Sequence, residues 1–281
     1  MAEGPLREVT RLVRARELRE GAGVIVRRTI GGPEVDHVDP FLLLDEFRSD
    51  RAADYLAGFP DHPHRGFETV TYMLAGAMEH RDHRGNVGRL GPGSVQWMTA
   101  GRGIVHSEMP RQVQGLMWGF QLWVNLPARL KMTAPRYQDI APERIPEVER
   151  EGVRVRVIAG TCDGATGPVA GIATEPLYLD LQLPAGAAFT QGIPARHNAF
   201  CYVYEGSVQV GGLARDVAAG HLALLGPGQA VRLAAGAAPG RALLVAGLPL
   251  EEPIARYGPF VMNTRQEIQQ ALDDFREGRL E

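Results

Sequence analysis

The feature that most constrains this 281-residue chain is that it repeats itself. In the first half, the strand-like run Thr69–Leu74 meets Gly76, passes through a polar excursion and reaches Leu90-Gly91-Pro92-Gly93 before a new apolar stretch. In the second half, Phe200–Tyr204 runs into Glu205 and Gly206, and Leu225-Gly226-Pro227-Gly228 again precedes an apolar stretch. Strand, glycine turn, polar excursion, Gly-Pro-Gly turn and strand is the pattern of an antiparallel jelly roll, and two copies imply two stacked sandwiches. The expected fold class is therefore all-β. A first domain is expected over residues 1–130 and a second over residues 131–281. Pro127, Pro135, Pro142 and Pro146 break up the strand pattern between Pro127 and Glu151, which reads as a linker. Helix is scarce. Thr264 followed by Glu267 forms a capping box, and Ile268, Ala271, Leu272 and Phe275 recur at helical spacing before Gly278, so one short helix closes the second domain and docks its apolar stripe on a sandwich.

The first half alone carries metal-ligand chemistry. His62 and His64 flank Pro63, and His106 and Glu108 flank Ser107. In a strand each such pair points to one face, so two strands facing one another bring three imidazoles and a carboxylate together. A lone His-x-His is common in loops and exposed strands. Here the strand-like run after His64 and the glycine-punctuated turn Gly101-Arg102-Gly103 before Ile104 raise its weight. Imidazole nitrogen and carboxylate oxygen suit Fe, Mn, Co, Ni or Zn, and no cysteine lies near enough for a thiolate site. The second half has no such set: Gly192, Pro194 and Arg196 align with the His-x-His stretch, and no His-x-Glu follows Gly228. One metal per chain is expected. His197, His221 and His37 read as hydrogen-bonded structural residues, because a single imidazole cannot hold a divalent ion.

Composition excludes several classes. The net charge of -3 gives no electrostatic reason to expect nucleic acid or an anionic membrane as partner. Arg14, Arg16, Arg19, Arg27 and Arg28 alternate with acidic residues and read as a solvated face. Cys162 and Cys201 are too few for a disulfide framework. The N-terminal run to Glu20 lacks the apolar core of a signal peptide, and no stretch approaches the ~20 apolar residues of a membrane span, so a cytoplasmic protein is expected.

The chain resembles the pirin family of the cupin superfamily. The resemblance rests on Asp39-Pro40-Phe41, Asp45-Glu46-Phe47, His62 through Tyr72, Val95 through Gly101 leading to His106 through Pro110, Gln121 through Pro127, and Tyr257 through Thr264. It implies a bicupin whose N-terminal barrel binds one metal ion, commonly iron, through His62, His64, His106 and Glu108, while the first-motif acid, Glu68, is not a ligand. It also implies one of two roles. Some members are quercetin 2,3-dioxygenases, which open a flavonol ring with O2 and release carbon monoxide. Others are regulators that bind a transcription factor or a metabolic enzyme. The expected partners are a flavonol-like aromatic molecule and O2, or a regulatory protein, with the chain acting as a monomer.

Four protein ligands on an ion that accepts six leave two positions for substrate and dioxygen. Glu108 is the expected catalytic base for the flavonol 3-hydroxyl. Gln121 and Glu68 are candidates to support the ligands, Glu68 by orienting His64 or, equally, by a structural or solvent-facing ion pair. Phe67, Tyr72, Trp97, Met98, Phe120 and Trp123 either wall a substrate pocket or form ordinary sandwich core. A sugar-phosphate isomerase would need basic residues inside the barrel, and none stand out.

Overall fold

Turn glycines and alternating apolar residues produce the same pair of sheets twice. The computed structural model describes residues 4–280, which divide into two units. In the first sandwich a seven-stranded sheet runs in the order Arg136–Ile140, Val95–Thr99, Phe67–Ala75, Met117–Asn125, Phe41–Ser49, Val24–Ile30 and Arg16–Glu20. Its four-stranded partner runs Phe59–His64, Ile104–Pro110, Met78–Asp82 and Val87–Leu90. The second sandwich repeats this. Its seven-stranded sheet is Val9–Arg14, His221–Leu225, Asn198–Glu205, Gly240–Gly247, Leu177–Leu183, Val153–Ala159 and Glu147–Arg150. Its four-stranded sheet is Ala188–Gly192, Ala230–Ala235, Ser207–Val210 and Arg215–Ala218. The expected all-β, two-sandwich architecture is thus present.

The internal echo needs one correction. Gly76 and Gly206 occupy the same turn, both at positive φ (84° and 66°), which a glycine adopts without a Cβ clash. The two Leu-Gly-Pro-Gly runs do not correspond. The first precedes Val95–Thr99, whereas the second follows the equivalent strand, His221–Leu225. They share a sequence because each makes a tight connection, one strand apart.

The units are not the two halves of the chain. Residues 4–15 join the second unit, and residues 250–280 join the first. Val9–Arg14 fills, beside His221–Leu225, the edge position that Arg136–Ile140 fills beside Val95–Thr99. The expected linker is therefore largely structured: Arg136–Ile140 pairs into the first sandwich and Glu147–Arg150 into the second. Lys131, inside it, is buried and donates from Nζ to Gly66 O, Asn125 Oδ1 and Val261 O at 2.8, 2.7 and 2.9 Å. Proline marks irregular chain, and irregular chain here is packed.

The helix forms as its cap predicts, over Arg265–Arg276, with the Thr264 hydroxyl and Glu267 carboxylate each bound to the other's backbone N–H. Ile268 and Ala271 pack with Phe260, Met262 and Leu280. It belongs to the first unit rather than the second, because Asp274 on it accepts from the buried Arg65 guanidinium at 2.7 Å. Arg65 directly follows His64, so the end of the chain braces the strand that carries the histidine pair. No helix is long and apolar enough to cross a membrane among the described residues.

Candidate metal centre

His62 and His64 lie on Phe59–His64, and His106 and Glu108 on Ile104–Pro110. The two strands do not face one another across the sandwich. They are hydrogen-bonded neighbours, with His106 opposite His62 and Ile104 opposite His64. Gly66, in the turn after the first strand, sits at φ 89°, where a Cβ would collide with the Val261 carbonyl. The turn can therefore only be this tight with glycine.

The three imidazoles converge, with ligand atoms within 4.8 Å of one another. His62 Nε2 and His64 Nε2 are 3.1 Å apart, and the ring centroids are separated by 4.4 to 4.9 Å. The Pro60 carbonyl lies 2.8 Å from His62 Nδ1, so that nitrogen donates and Nε2 keeps its lone pair. The buried Nε2 of His106 has no hydrogen-bond partner among the described residues. Three imidazoles crowded together, with the buried Nε2 of His106 left unpartnered, are what a divalent ion satisfies. Burial, then His62, holds His64 well below the usual histidine range, and burial, then His64, His62 and His80, does the same to His106. Both rings are thereby kept neutral, the form that ligates.

Glu108 is not one of this converging group. A register shift between His106 and Glu108 sets its Cα opposite Phe59. Its buried carboxylate accepts from Thr71 Oγ1 and from Gln121 Nε2, both at 2.8 Å. Gln121 is fixed in turn by the Trp123 indole N–H, which donates to its Oε1 at 3.2 Å. Gln121 is thus a supporting residue, but of Glu108 rather than of a histidine. Glu68 accepts from Thr99 Oγ1 at 2.6 Å, buried, so it neither orients His64 nor faces solvent.

A cavity of about 650 Å³ opens over His62 and His64, lined also by Phe59, Leu43, Gln121, Trp123, Arg28 and Arg256. Of the six expected wall residues only Trp123 lines it. Phe67, Tyr72, Trp97, Met98 and Phe120 are wholly buried core. Arg28 leaves the solvated group: its guanidinium pairs with Asp45 at 2.6 and 2.8 Å and with Glu20 at 2.9 Å. In the second sandwich, His197 stands 3.7 Å from Glu175. His221 faces the Ala219 carbonyl and His37 the Asp36 carboxylate.

Two residues that sequence reading passed over matter here, Thr71 and His80. His80 Nδ1 lies 3.0 Å from His106 Nδ1. A single histidine in the polar run Met78–Asp82 carries no motif, and only the strand register brings it to the centre.

Comparison with known proteins agrees with this geometry. The pirin family model matches residues 23–124, and the pirin C-terminal cupin domain matches residues 178–281. A pirin-like protein of Caulobacter vibrioides is 52% identical over 98% of this chain and 99% of its own. Pirin of Homo sapiens is 46% identical over 98% of this chain and 94% of its own. A crystal structure of quercetin 2,3-dioxygenase from Acinetobacter baumannii has a TM-score of 0.89 at 34% identity, covering 98% of each chain. Both domains matched in order, on a chain that aligns end to end with such relatives, make this protein a member of the pirin family.

Proposed function

We propose that this protein is a metal-dependent dioxygenase of the quercetin 2,3-dioxygenase type, opening a flavonol ring with O2 and releasing carbon monoxide. The observation that carries the reading is the convergence of three ligand nitrogens at a cavity large enough for a flat aromatic molecule. The likeness to the Acinetobacter enzyme supports the substrate class.

His62, His64 and His106 would hold the ion, iron by preference of the family, with Glu108 as fourth ligand. The ion when bound supplies Lewis acidity and redox chemistry, lowering the pKa of a coordinated hydroxyl. The remaining work belongs to the chain. Glu108 takes the proton of the flavonol 3-hydroxyl, and Thr71 and Gln121 aim its carboxylate. Trp123 and Phe59 offer apolar walls to the rings, and Arg256, whose guanidinium lies over the Trp123 ring, places positive charge beside the substrate anion. His64 and His106 are buried, while His62, half-buried, meets the cavity.

The test is aerobic incubation of the metal-replete full chain with quercetin. Oxygen uptake matched mole for mole by carbon monoxide is expected. A protein loaded with one ion per chain that consumes no oxygen at any mildly acidic to mildly basic pH is not a quercetinase.

A further inference from the structure

His106 has two ring nitrogens, and its surroundings give them different tasks. Nε2 is buried without a partner, while Nδ1 meets His80 Nδ1 at 3.0 Å. Two imidazole nitrogens at that distance share one proton: one donates and the other accepts. If His106 accepted, its proton would sit on Nε2, and that nitrogen would have no lone pair for an ion. A ligating His106 must therefore donate from Nδ1, and His80 must present an unprotonated Nδ1 and carry its own proton on Nε2.

The ring of His80 is fixed in place, and its Nε2 is buried without a hydrogen-bond partner among the described residues. The residue is 1% exposed, sits opposite Glu108 across Met78–Asp82 and Ile104–Pro110, and packs edge-on against the Tyr137 ring at 4.8 Å. Tyr137 is itself tied down, its hydroxyl donating to Asp82 Oδ2 at 2.9 Å. Ligating histidines usually donate their second N–H to a carboxylate, a backbone carbonyl or water. Here the acceptor is another imidazole, one that offers a lone pair only in one of its two neutral tautomers.

We propose that His80 is a positioning residue that selects the ligating tautomer of His106 and thereby sets how tightly the centre holds its ion. The inference rests on the metal-centre part of the proposed function and not on the dioxygenase chemistry. The residue acts through His106 and does not itself reach the ion.

The test is Zn²⁺ affinity, measured by competition against a chelating dye, for the full-length wild type, His80→Asn and His80→Leu. Asparagine places an acceptor oxygen near the position of Nδ1, whereas leucine fills the space without one. Zn²⁺ binding should weaken by about 10–100-fold in His80→Leu and return to within a few-fold of wild type in His80→Asn. Wild-type affinity in His80→Leu, or equal weakness in both variants, overturns the role of His80. A wild type that binds no Zn²⁺ overturns the centre itself and His80's role with it. If His80→Leu does not fold, ¹⁵N spectra of the Zn²⁺-loaded wild type decide. A proton on His106 Nδ1 is expected, and its absence refutes the proposal.

Discussion

The two sandwiches share sheet order and turn positions but differ in what points inward. Thr71 in the first and Cys201 in the second each lie five residues before their turn glycine, Gly76 or Gly206. His80 and Val210 each lie four residues after it. Following the strand pairings outward, Glu108 opposite His80 corresponds to Leu233 opposite Val210, and Gln121 opposite Thr71 corresponds to Leu244 opposite Cys201. In the second sandwich these residues join one continuous apolar core, with Val155, Leu179, Ala223 and Val231. In the first, the apolar interior is split into smaller clusters around Met73, Phe67 and Met98. The same backbone serves either purpose, and the choice rests on a handful of inward side chains. A polar interior gains little stability for the fold, so packing alone does not account for the one that the first sandwich carries.

The largest expected effect comes from neutralising the first interior. Glu108→Gln keeps one oxygen to accept from Gln121 Nε2 and puts an N–H where the Thr71 hydroxyl can accept it, but removes the negative charge and the basic lone pair. Turnover per bound ion should fall about 10²–10⁴-fold, while part of the ion is retained. Metal content and oxygen consumption, measured on the same preparation, separate the two losses, and a normal rate per ion would make the carboxylate a ligand only.

The reverse exchange tests the second interior. Leu233→Glu puts there the carboxylate that the first sandwich carries at Glu108, without a Thr or Gln to receive it. An uncompensated buried charge should cost about 3–5 kcal/mol. Trp97, Trp118 and Trp123 all lie in the first unit, so tryptophan fluorescence follows that unit and circular dichroism follows both. The urea midpoint by circular dichroism should drop in the variant. An unchanged midpoint would mean that the second interior tolerates charge, and the contrast between the sandwiches would lose its energetic basis.

How much of this could be read from sequence follows from the range of the interactions. The histidine pairs were legible because strand alternation is a local rule, and the helix because its capping box and stripe lie within fifteen residues, Thr264 to Gly278. The doubling of the sandwich was legible through Gly76 and Gly206. What escaped were facts of register and of distant pairing. The Gly-Pro-Gly runs looked equivalent because a tight connection has one chemistry wherever it falls. Val9–Arg14 pairs with His221–Leu225, and Arg65 with Asp274, across most of the chain. Nothing local announces such partners. Likewise His80 and Thr71 matter only because neighbouring strands set them beside His106 and Glu108. Arg28 looked like a member of a charged face until Asp45 and Glu20 closed on it.

The smallest expected effect concerns acid. His64 and His106 are held below the ordinary histidine range when folded, chiefly by burial. In the unfolded chain they return to about 6.5. Below that pH the unfolded state binds protons that the folded state refuses, so stability falls as pH falls and is regained as pH rises toward neutrality. Each such proton is worth at most about 1.4 kcal/mol per pH unit. The second sandwich has His197 as its buried histidine, also lowered by burial but with Glu175 acting in the opposite direction. Acid should therefore weaken the metal-free first sandwich more than the second. Urea midpoints of the apoprotein by tryptophan fluorescence, taken at pH values on either side of the histidine range, should slope downward with acid. The slope should flatten in His64→Leu, which removes one of the titrating rings, and in the Zn²⁺-loaded protein, where an ion occupies lone pairs that protons would seek. A slope that survives both changes would assign the acid sensitivity to carboxylates elsewhere and detach it from the histidine centre.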